Sequence, residues 1–314
     1  MRRRFFLKLS AAASATALWG CNEREQGVLV HRPRDRSATG PAADPASTPA
    51  LEPAERAVYV HEGTKVHTAF DAYGFAYEIE PFQGRVVERG SLGIPLRRFG
   101  SYGTGSAELN QPVALAFGPD ELLYVADRDN SRIQVFDREG EHVREIGHYG
   151  TEQGHLSHPR ALSFDGAGRL WVADTLNHRI QVFTRTGAVV ASFGEFGTYL
   201  GQFNGPMGMA FAADGTLHVL DAGNRRVQVL GEDGVALRCY GDEQLEFPRA
   251  LAVSRDGFAF VADTASAAID VFGPDGSFEQ RLYPAFESGA PAAPVQLSIA
   301  PEGDLHIAAL PAAA

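Results

Sequence analysis

From about residue 65 to residue 310 the chain alternates short apolar, often β-branched runs with clusters of Gly, Asp and Asn. That is the rhythm of strands joined by tight turns. One stretch shows it in full. Apolar runs at about 161–164, 170–173, 180–183 and 189–193 are separated by turn signals at Asp165-Gly166, 174–178 and Thr186-Gly187. The pattern predicts four short strands in sequence, each connected to the next by a tight turn.

The same unit returns at a fixed period. The run from Phe164 to Asp174 recurs 47 residues earlier, from Phe117 to Asp127, and 47 residues later, from Phe211 to Asp221. Each Asp opens one continuation: Asp127, Asn130 and Arg132; Asp174, Asn177 and Arg179; Asp221, Asn224 and Arg226. The template stepped outward puts Glu80, Asp263 and Ala309 in the Asp slot, which makes six units. A single four-stranded sheet cannot bury both faces, so copies at this spacing imply radial blades. The turn density excludes helix-pair repeats of similar length. The expected fold is all-β, a six-bladed β-propeller of four-stranded antiparallel blades. The last copy ends after two strands, and Ala57-Val58-Tyr59-Val60-His61 is strand-like. This N-terminal strand is expected to complete the last blade, closing the ring and hiding an edge.

These repeats resemble the NHL repeat family of β-propellers over about residues 65–310, most closely over 112–241. The family includes an amidating lyase, and related six-bladed folds include metal-dependent lactonases. In both, the resemblance implies metal ligands converging from several blades on the axis. Here only His67 stands at a matching inner position.

Composition narrows the class. A net charge of −11 argues against a nucleic-acid partner, whose phosphates need a basic face. Two Cys cannot make a disulfide scaffold, and Cys239, in an apolar stretch, is expected in the core. The N-terminus reads as an address. Arg3-Arg4-Phe5-Phe6-Leu7-Lys8 resembles the twin-arginine export motif. Leu18-Trp19-Gly20-Cys21 resembles a bacterial lipobox, with Trp19 where a small residue is usual. The resemblance implies a signal peptide at 1–20, lipidation of Cys21, and a lipoprotein on the periplasmic side of the membrane. Cleavage after 15–17, giving a soluble periplasmic protein, is the alternative. Residues 21–54, rich in Pro and Ala, read as a disordered tether with a reach on the order of 30 Å; Val28-Leu29-Val30-His31 is its one strand-like stretch. The propeller then occupies 55–314. Loss of residues 1–20 removes four cations and no anion, taking −11 to −15.

What all units share reads as scaffold, so the repeated Asp, Asn and Arg are expected to hold turns rather than to catalyse. The loop motif Gly100-x-Tyr102-Gly103, Gly147-x-Tyr149-Gly150 and Gly194-x-Phe196-Gly197 is expected to set loop shape. The slot filled by Tyr77, Tyr124, Trp171 and Phe260 holds His218 and His306 elsewhere, which therefore read as core. Departures are more informative. The loop at 148–160 carries His148, His155, His158 and Arg160, and His178 is on the adjacent turn. Arg160 and Arg249 follow a unit-opening Pro where Val113, Met207 and Val295 stand in other units. Two places after that Pro, His67 and Gln296 replace small residues, close to the axis.

Three His at spacings of seven and three are one arrangement for zinc, set against plain solvated loop His; no cofactor is expected, with zinc or calcium the ions to consider. Arg160 with Arg249 can make an anion pocket or pair with acidic neighbours. Two functions from different classes follow. One is a tethered propeller presenting its loop face to a protein or peptide partner in the cell envelope, as a monomer or within a hetero-complex. The other is a metal-dependent lyase or hydrolase at the channel mouth, using His67, His158 and Arg160.

Overall fold

The computed structural model describes residues 26–27, 58–62, 67–90, 93–286, 289–300 and 303–311. The export motif, Cys21 and the 28–31 stretch lie outside the described residues. Five four-stranded antiparallel sheets follow one another along the chain, spanning 68–99, 112–146, 159–193, 206–240 and 248–282. The third has strands Pro159–Phe164, Leu170–Asp174, Arg179–Phe183 and Val189–Phe193. The first strands of successive blades lie side by side around the axis.

The expectation of six antiparallel blades is corrected to five. The remaining sheet is mixed. Its Ala292–Ile299 and Leu305–Pro311 are antiparallel, but Val58–Glu62 joins Leu305–Pro311 in parallel, and Gln26–Gly27 pairs outside that. The N-terminal segment runs in the same direction as the strand it meets, so the ladder at that step has parallel geometry. The first blade meets this sheet where Phe70 packs on His306, ring centroids 5.1 Å apart.

Blades are held by apolar clusters between neighbouring sheets. Tyr124, Ile133 and Val135 of the second blade meet Leu162, Val172 and Phe183 of the third. Trp171, Ile180 and Val182 meet Met209, Leu217 and Val219 of the fourth. Second and third strands are therefore covered on both faces and read as continuous buried runs, whereas fourth strands alternate. That alternation corrects the placing of Cys239. In Ala236–Tyr240 the inward residues are 236, 238 and 240, which turns Cys239 outward and leaves it exposed.

The aromatic slot has a partner in the next blade. Tyr77 packs edge-on against Phe117, Tyr124 against Phe164 and Trp171 against Phe211. In the fourth blade His218 fills the slot, and Val253 stands where the next Phe would be. His218 Nδ1 lies 2.8 Å from the Tyr240 hydroxyl instead. Burial, with the Arg238 charge second, pushes its pKa down to about 4 from 6.5. The unfolded chain therefore takes up a proton below about pH 6.5 that the folded chain refuses until about pH 4. Stability from this group is present at neutral pH and falls as pH drops through that window. His218→Phe should reduce the loss of unfolding free energy between pH 7 and pH 5 by about 2 kcal/mol. Urea denaturation of both proteins at the two pH values checks it; identical losses would contradict it.

Candidate functional site

The loops leading into blades and the turns between second and third strands share one face, because they are bonded to each other. Asp174 shows how. Its Oδ1 accepts the Ser157 N–H at 2.6 Å, and its Oδ2 accepts from Asn177 Nδ2 at 2.8 Å, Arg179 Nε at 2.8 Å and Gln181 Nε2 at 3.1 Å. Asn177 also donates to the Gly150 carbonyl, and Arg179 to those of Glu152 and His155. Asp127 does the same with Asn110, Asn130, Arg132 and Gln134, and Asp221 with Asn204, Asn224, Arg226 and Gln228. All three carboxylates are fully buried.

The fifth blade uses a different wiring. Asp270 stands in the Gln position, and Arg281 of the fourth strand reaches it through Nε and Nη2 at 2.6 and 2.9 Å. Burial pushes the Asp270 carboxyl up, while these bonds favour the cationic form of Arg281.

The patch expected at 148–160 divides into three. His148 and His155 face each other with ring centroids 3.9 Å apart. They occupy the places of Glu195 and Gln202, which are hydrogen-bonded at 2.9 Å, so this pair fastens the loop across its neck. His178 turns toward the following loop, its Nδ1 accepting the Gly205 N–H at 3.0 Å and its ring edge-on to Phe196. His158 faces the second blade, with Nε2 3.8 Å from Asp129 Oδ1. The three imidazoles of the proposed zinc set thus do not converge, and among the described residues no three His, Cys, Asp or Glu side chains group as a metal site. His67 is elsewhere again. It accepts the Leu115 N–H at 3.4 Å and lines a crevice of about 10 Å³ with Gln296, Ser298 and His306. Burial lowers its pKa to about 4.

Arg160 and Arg249 are where a special geometry appears. Pairing jumps from Pro159–Asp174 to Ala161–Ala173, which leaves Arg160 as the extra residue of a β-bulge, and Arg249 is the extra residue between Pro248 and Ala250. The Arg249 guanidinium lies 4.6 Å over the Phe247 ring.

Sequence reasoning missed the exposed aromatic side chains of this face. Tyr149, Phe196 and Tyr199 are 74%, 67% and 78% exposed, and Tyr102 and Phe247 are also exposed. The repeat that marked their loops as scaffold concealed them, although an aromatic held at the tip of three Gly-rich loops was a signal. A second omission was a groove of about 600 Å³ lined by Arg225, Asp242, Leu245, Phe247 and Thr264. It lies where the loop into the fifth blade is five residues shorter than its counterparts, a difference visible in the repeat spacing of 42 instead of 47.

The blade repeat has a match among known families. Residues 109–136 and 156–183 match the NHL repeat. Solved structures share the β-propeller fold at low identity. A virginiamycin B lyase from Staphylococcus aureus aligns with TM-score 0.60 and 13% identity over 78% of this chain and 77% of its own. A gluconolactonase from Xanthomonas campestris aligns with TM-score 0.59 and 15% identity over 78% and 83%. A chain of a nidogen/laminin complex aligns with TM-score 0.56 and 17% identity over 79% and 85%. No curated protein matches the chain in sequence. At these identities the likeness shows the fold, which hosts unrelated chemistries.

Proposed function

We propose that this chain is an exported, lipid-tethered propeller that binds a protein or peptide partner on its loop face. The observation that carries the reading is the set of exposed aromatics, Tyr149, Phe196 and Tyr199, on loops fastened from beneath by buried carboxylates. Aromatic side chains give large contact area for little rotamer entropy, and loops already held in place add little ordering cost on binding. The repeated Asp, Asn and Arg are the fasteners in this reading, not reacting groups. Acylation at Cys21 leaves a tether long enough for the face to turn toward an envelope partner.

Changing Tyr149, Phe196 and Tyr199 together to Ser should leave the melting temperature within a few degrees, since exposed positions contribute little, about 0.5 kcal/mol each. Partners recovered by chemical crosslinking in intact envelopes should be lost. An unchanged crosslinked set from the folded variant would refute the reading. Mass spectrometry of the mature N-terminus should find an acylated Cys21, and a free N-terminus after residue 17 would remove the tether from it.

A further inference from the structure

The residue after each unit-opening Pro is a bulge in five successive sheets: Val113, Arg160, Met207, Arg249 and Val295. A bulge frees its extra residue from the ladder and re-aims its side chain, and rims are where bulges gather. These five start the innermost strands on the loop face, so they ring the mouth of the axis. Three are apolar, and two are Arg.

Most buried or half-buried Arg side chains of the blades have a carboxylate partner. Arg132, Arg179, Arg226 and Arg281 each contact a buried Asp within 3 Å. Among the described residues, half-buried Arg160 has neither a hydrogen bond nor an ion pair, and Arg249, exposed at the rim, also lacks both and rests on an aromatic face. A third cation adjoins them. Burial first, and then the charges of Arg128 on the second-blade turn and of Arg249, hold the half-buried Arg160 guanidinium below its usual pKa. Asp129 opposes this charge, and it is already bonded to Arg128 at 2.7 Å. Beside it, His158 Nδ1 is buried without a hydrogen-bond partner. Two bulge guanidiniums on one rim, with Arg128 and the orphaned His158 nitrogen on the adjoining turn and Asp129 already engaged by Arg128, leave a local excess of positive charge on a chain of net charge −11.

We propose that Arg160 and Arg249, assisted by Arg128 and His158, form an oxyanion-binding site at the mouth of the ring. It takes a carboxylate or a phosphate group. The guanidinium fork matches both through paired N–H···O bonds, and the anion relieves the mutual repulsion of the cations. The Met207 bulge between the two Arg supplies an apolar neighbour for the rest of the ligand. This rests on the reading of the loop face as the binding surface and adds the charge its ligand must carry.

Calorimetric titration of the purified chain at low salt and pH 7, with inorganic phosphate and separately with citrate, tests it. Saturable binding of at least one is expected, and which one saturates tells phosphate from carboxylate. Arg160→Gln with Arg249→Gln should weaken that binding at least tenfold with the melting temperature unchanged or raised, while Arg185→Gln, on the opposite face, should not alter it. No saturation by either anion, or equal affinity in the double variant, would overturn the proposal. The Tyr149, Phe196 and Tyr199 variant should keep anion binding even where it loses the partner, so the two readings fail separately.

Discussion

Replacing Asp174 by Ala should cost about 3 kcal/mol of unfolding free energy, because it removes the buried carboxylate that faces the largely buried Arg179 guanidinium. The Ser157 N–H, Asn177 Nδ2, Arg179 Nε and Gln181 Nε2 all donate to this one side chain. Asp174→Asn is expected to do almost as badly. Its amide oxygen can still receive Ser157, but its NH₂ then points at three other donors, and a buried donor left facing donors loses its full desolvation cost. Denaturant unfolding of the two variants measures both effects. A residue reserved for chemistry would behave differently: full stability with a lost activity would reverse the assignment of Asp174, and with it that of Asp127 and Asp221.

A chain beginning at Lys65 should melt roughly 5–10 °C below one beginning at Glu55, at about 2–4 °C per kcal/mol for a domain of this size. The shorter chain lacks Val58–Glu62, whose register against the last strand runs from Val58–Leu305 to Glu62–Ala309. Without that ladder, Leu305–Pro311 becomes an edge, although its Leu305, Ile307 and Ala309 belong to the core shared with the fifth blade. An open edge beside a fraying core also invites pairing between molecules, so the shorter chain should aggregate on heating. Equal melting temperatures would show that residues 58–62 do not hold the last sheet.

The strands were legible in the sequence because each blade repeats one pattern of burial, and repetition turns a weak local signal into a strong one. The third-blade strands fall within two residues of where the apolar runs put them. The mixed last sheet was less accessible, since strand direction depends on how a distant N-terminal segment approaches, and nothing local to 57–61 encodes that. Cys239 was misplaced because an apolar neighbourhood was read as a buried one, whereas in an outer strand alternate residues face solvent. At the site, departures from the repeat singled out the 148–160 loop, but not how its side chains divide. His148 and His155 pair across a loop neck, as Glu195 and Gln202 do, and only the equivalence of those positions in space exposes that role. The two Arg were legible as departures from the repeat; their bulge geometry arises only from the pairing of distant strands.

In the proposed function the loop face, and not the opposite face, meets a partner. A photoreactive amino acid placed at Tyr199 and, in a separate protein, at Thr186 tests it most directly. Thr186 sits on the turn between third and fourth strands, at the other end of the blade. With both proteins folded and illuminated in intact envelopes, a discrete crosslinked species is expected from position 199 and none from position 186. Crosslinking from 186 alone, or from both positions equally, would contradict the account.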